Sequence, residues 1–133
     1  MGKAESQFKA VMLFFCVLYA VGGLLFYTFH SLMTTLMQIQ GSQDHFWVAL
    51  GTSMMAMLSA LSWFSSKHPH EKSYVQIHML SKFVSIVGFL LAFFLDNGHV
   101  AFLACAVLDA SVVVVVLTFF RRANATLERS AVA

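Results

Sequence analysis

The sequence predicts an all-α integral membrane protein, a four-helix bundle forming one transmembrane domain over residues 1–133. Three observations carry that expectation. The chain is 59% hydrophobic and only 11% charged, its apolar residues gather in four runs of about twenty, and its lysines and arginines fall, with one exception, outside those runs. Soluble domains carry about 25% charged residues, whereas a hydrocarbon core about 30 Å thick needs about 20 apolar residues per crossing helix. The runs lack the period-two alternation of barrel strands, and in lipid such segments satisfy their backbone hydrogen bonds as helices.

The first span covers 10–29 (AVMLFFCVLYAVGGLLFYTF). Lys3 and Lys9 precede it as they would in a signal peptide, but its length and the lack of a small-x-small site after Phe29 and His30 predict a retained helix. Gly22 and Gly23 predict a close helix contact. The second span, 46–64, is soft and rich in hydroxyls, with Met54, Met55 and Met57 beside Ser53, Ser59 and Ser62. Adaptable core packing accounts for that composition. The third and fourth spans cover 74–95 and 99–120. Cys16 and Cys105 both lie inside spans, which predicts buried small hydrophobes rather than a disulfide framework.

Between the third and fourth spans, Asp96-Asn97-Gly98 predicts a tight turn, since Asn-Gly tolerates left-handed backbone. The longer connection at 30–45 places Leu32, Met33, Leu36, Met37 and Gln40 at helical spacing, which predicts a short interfacial amphipathic helix ending at Gly41. His68 and His70 flank Pro69 in the remaining loop and are expected to face water.

The basic residues orient the chain. Lys3 and Lys9 precede the first span, Lys67 and Lys72 separate the second from the third, and Arg121, Arg122 and Arg129 follow the fourth. By the positive-inside rule both termini are expected in the cytoplasm, with 30–45 and 96–98 outside. Trp47 at an outer boundary, and Trp63 and Tyr74 at inner ones, fit the aromatic belts of that arrangement. The net charge of +2 thus reflects topology, and no pattern of a nucleic-acid binder is present.

Lys82 and Asp109 are the two charged side chains within the spans. Each costs about 2.5–3.5 kcal/mol near a helix centre on insertion scales, so a partner is expected. A tight turn makes the third and fourth spans adjacent and antiparallel, and Cys105 and Ala106 lie one turn from Asp109, where small side chains permit close approach. A buried Lys82–Asp109 pair is therefore predicted, with His78 and Ser85 as neighbours at i−4 and i+3 of Lys82. Three roles stand open: a clasp that sets helix register, a relay or anion-binding determinant, and a Lys82 that snorkels to the headgroups alone.

His30, His45 and His99 mark the outer ends of spans, beside Asp44 and Asp96, with the thioethers of Met33 and Met37 nearby. Histidine and thioether donors suit copper or haem iron, which defines a metal-site expectation for these three histidines. No nucleophile elbow, paired carboxylates or phosphate-binding glycine loop supports an enzyme.

The second span FWVALGTSMMAMLSAL, the LSK of the third, the FLACAVLDA of the fourth with its single acid, and the basic end FFRR together resemble small four-helix bacterial membrane proteins of the DoxX-like kind. That resemblance implies a four-helix bundle in a bacterial cytoplasmic membrane and no particular substrate. The leading functional expectation is a non-catalytic subunit or accessory protein of a membrane assembly, held in the bilayer with a membrane-protein partner or as a homo-oligomer. Its rivals are a small oligomeric transporter or channel for protons, ions or a small anion using Lys82 and Asp109, and a metal- or haem-binding redox subunit using the outer histidines.

Overall fold

The computed structural model describes residues 2–36, 45–95 and 100–132, with side chains except at 33, 34, 36, 45–47 and 126–132. Among the described residues the secondary structure is entirely helical: α1 (Lys3–Thr28), α2 (His30–Leu36), α3 (His45–Lys67), α4 (Lys72–Leu95) and α5 (Val100–Val132). α1, α3, α4 and α5 are each long and apolar enough to cross a membrane.

Two helices outrun their predicted spans by seven residues or more. α1 begins at Lys3, seven residues before the apolar run, where Glu5 favours the positive end of the helix dipole and pairs with Lys9 at 2.8 Å. α5 continues past Phe120 to Val132 because nothing in that stretch breaks a helix: it holds no proline or glycine. The extensions meet at one end of the bundle. There the rings of Phe8 and Phe120 pack 5.6 Å apart, and both Phe8 and Ala123 are fully buried.

α1 packs on α3 and α5, and α4 packs on α3 and α5, so the spans form a closed four-membered ring in chain order. α1 turns one stripe inward, Phe8, Met12, Phe15, Tyr19 and Gly23, at the three- and four-residue spacing of a bundle seam. Its other faces, with Phe14, Val17, Leu18, Val21 and Leu24, are equally apolar and exposed, as a lipid-facing helix requires. The α1/α3 contact rests on a glycine from each side. A Cβ on Gly23 would sit 3.0 Å from Met55 Cβ, and one on Gly51 would sit 2.9 Å from the Phe26 ring. Gly22 meets nothing within 4 Å, so the predicted contact belongs to Gly23. Ser59 adds an interhelical hydrogen bond, its hydroxyl donating to the Cys16 carbonyl at 2.9 Å. Cys16 and Cys105 are free and half-buried, less enclosed than expected.

The α3–α4 turn is compact. The His68 N–H donates to Phe64 O and the Glu71 N–H to His68 O, Pro69 is buried, and His68 and His70 are exposed as expected, with His70 Nε2 3.9 Å from Glu5. Glu71 starts α4 by accepting hydrogen bonds from the Ser73 hydroxyl at 2.7 Å and the Ser73 N–H at 3.4 Å. α2 follows α1 after a single residue, Phe29, whose N–H still donates to Leu25 O. The Asp96–Gly98 turn, Met37, Gln40, Gly41, Asp44 and His99 lie outside the described residues, as does the side chain of Trp47.

Burial is uneven along the bundle. The apolar core, with Phe8, Met12, Phe15, Leu58, Val75, Val116 and Ala123, lies toward the end where α1 starts. Beyond Lys82 in α4, and before Ala106 in α5, no described residue is buried. Polar groups gather where the core gives out.

Candidate functional site

Lys82 and Asp109 face each other across the α4/α5 interface, Nζ to Oδ1 at 2.6 Å, with side chains 7% and 14% exposed. Ala106, one turn from Asp109, is buried and lets the helices approach. The predicted pair is thus present as a charge-assisted hydrogen bond within the ring.

The pair is not confined to two helices. The Lys82 ammonium lies 4.7 Å from the centroid of the Tyr19 ring on α1, within cation–π range. Tyr19 also packs against the His78 imidazole, with centroids 5.8 Å apart. His78 is fully buried one turn before Lys82, and its Nδ1 is 3.5 Å from the Ser62 hydroxyl of α3. Tyr19, Ser62, His78, Lys82 and Asp109 therefore form one polar centre to which α1, α3, α4 and α5 all contribute. α1 and α4, which stand diagonally in the ring, meet here through the Lys82–Tyr19 and His78–Tyr19 contacts.

Among the described residues, two polar atoms of this centre are buried without a hydrogen-bond partner, Tyr19 Oη and His78 Nε2. An unpaired buried polar group costs about 1–3 kcal/mol, so these atoms mark where the centre is under-satisfied. Ser85, predicted as a neighbour of Lys82, is half-buried one turn outward at the margin of the cluster.

Tyr19 and Ser62 are the members that sequence reasoning missed as site residues. A signal existed for Tyr19: a phenol in the middle of an apolar run, away from the headgroup levels where tyrosine is usual. Ser62 carried none, since serine recurs through the second span and only packing selects which hydroxyl faces inward.

The outer histidines divide. His30 opens α2, His45 opens α3 with its side chain undescribed, and His99 is outside the described residues. Among the described residues no three His, Cys, Asp or Glu side chains gather as a metal site would require.

Grooves run along the exterior of the described residues. One between α1 and α3 holds about 590 Å³ and is lined largely by small residues, among them Cys16, Ala20, Gly23, Ala56 and Ala60. Another, between α4 and α5, holds about 430 Å³ and carries Lys72 at one end. Comparison of the chain with protein families, curated proteins and solved structures found no match.

Proposed function

We propose that this chain is a non-catalytic subunit of a membrane assembly, inserted with its basic ends in the cytoplasm and its ring of helices clasped by the Lys82–Asp109 pair. The observation that carries this reading is the placement of the charged pair. It is enclosed within the ring and touched, directly or through His78, by a side chain from every spanning helix, so its interactions act on the relative positions of all four. A buried polar group that sets register is the best-attested use of such pairs. The small-residue groove between α1 and α3 supports the same reading, because close backbone approach is what helix association in lipid requires. The short helix α2, with Leu32 and Leu36 one turn apart in its sequence, supports an interfacial helix at the outer surface.

Mild-detergent extraction from the native membrane, with cross-linking and mass spectrometry, tests this. A partner or homo-oligomer at fixed stoichiometry supports it. A monomer in both the native bilayer and detergent overturns it.

A second reading has its own observation. Among the described residues, Tyr19 Oη and His78 Nε2 lie unpaired in the centre that holds the charged pair, an arrangement that suits a small oligomeric proton-coupled carrier. Proteoliposomes decide between them: pH-driven uptake abolished by Asp109→Asn favours transport, and no flux under any imposed gradient removes it.

A further inference from the structure

The groove between α4 and α5 differs from its neighbour in chemistry. Its α4 wall is one continuous stripe, Lys72, Val75, Gln76, Met79, Leu80 and Phe83, at three- and four-residue spacing. The stripe is basic at its start, polar one turn on, and apolar from there. From Lys72 to Phe83 it rises roughly 16 Å at 1.5 Å per residue, close to one leaflet's half of a core about 30 Å thick. Leu80 and Phe83 are each 64% exposed, so the apolar part is open to an acyl chain.

Charge fits at the same end. Leu117 and Phe120 form the α5 wall, and Arg121, exposed, follows Leu117 by one turn on the same helix face. Glu71, the acid adjacent to Lys72, turns its carboxylate to Ser73 at the start of α4. By contrast, the larger α1/α3 groove has no lysine or arginine in its lining, and Lys67 beside it is drawn over the Trp63 ring at 4.5 Å.

We propose that the α4/α5 groove is a binding site for one anionic phospholipid of the leaflet at the basic end. Its phosphate rests on Lys72 and Arg121, and an acyl chain lies along Met79, Leu80, Phe83 and Leu117. The site is independent of the role assigned to Lys82 and Asp109.

The test is native mass spectrometry of the full chain in non-ionic detergent, titrated with phosphatidylglycerol or phosphatidylcholine. One phosphatidylglycerol should be retained per chain in preference to phosphatidylcholine. Lys72→Gln and Arg121→Gln should each weaken retention about fivefold, the equivalent of about 1 kcal/mol per basic residue at an anionic surface. Leu80→Trp, which fills the groove and leaves the charges intact, should weaken it as well. Lys67→Gln, at another exposed lysine of the same end, should leave it unchanged. Equal retention of the two lipids, equal loss in Lys67→Gln, or displacement of the lipid by inorganic phosphate overturns the proposal. Helical circular dichroism of each variant separates lost binding from lost fold.

Discussion

Lys82 Nζ stands 2.6 Å from Asp109 Oδ1, and the same ammonium lies over the ring of Tyr19, so one buried cation ties α4 to α5 and to α1. Removing one partner of such a pair leaves an uncompensated charge and costs about 3–5 kcal/mol, whereas replacing both by apolar groups of similar volume is often neutral. Lys82→Met and Asp109→Leu should each lower stability by about that amount, and the double variant should recover most of it. Reversible unfolding in mixed micelles measures the cycle. If both single variants are as stable as the parent, the clasp is wrong.

Tyr19 contributes its ring, not its hydroxyl, since the hydroxyl has no hydrogen-bond partner among the described residues while the ring faces Lys82 and His78. Tyr19→Phe should therefore be neutral or slightly stabilising. Tyr19→Leu should lose the cation–π contact, worth about 0.5–2 kcal/mol, together with some packing. The difference between the two variants in the same unfolding assay is the informative quantity.

The adjacent glycines of α1 should behave in opposite ways. Gly23→Val crowds Met55 Cβ across the interface and should destabilise by about 1–3 kcal/mol, the usual range for overpacking. Gly22→Ala enters open space and should stabilise the helix by up to about 1 kcal/mol. Thermal denaturation of the two variants should shift in opposite directions.

At the start of α4, the hydrogen bonds from Ser73 hold the Glu71 carboxyl below its usual range. A depressed folded pKa contributes stability that is present above the unfolded pKa and is lost as pH falls through the folded one. The contribution of Glu71 should therefore fade on acidification below the ordinary carboxylate range. Ser73→Ala should return the Glu71 titration toward the ordinary glutamate value, which carboxyl-carbon NMR can follow. An unchanged titration in that variant would show that Ser73 is not the cause.

Much of the polar centre is legible in the sequence. A lysine and an aspartate within spans joined by three residues have few other partners, and His78 lies on the Lys82 face by helical spacing alone. Tyr19 stood out as a phenol in an apolar run, but its contact with α4 was not legible, because α1 and α4 are not consecutive in the chain; Ser62 was not legible because serine recurs through its span and only packing selects which hydroxyl faces His78. The extensions of α1 and α5 were missed for another reason. Hydropathy reports where lipid begins, and a helix can continue into water when a neighbour covers one side, as Phe8 and Phe120 cover each other.

The sequence by itself determined that the chain is helical, that four segments are long and apolar enough to span, and that two charged residues within them needed each other. These follow from local quantities: run length, backbone hydrogen bonding in lipid, and the cost of a lone charge. Only the tertiary structure decided which face of each helix turns inward. In α1 the residues facing lipid are as apolar as those facing the core, so hydropathy could not separate Phe15 from Phe14 or Gly23 from Gly22. Shape made those choices, through glycines that admit a neighbouring side chain and a tyrosine ring placed beneath a buried ammonium.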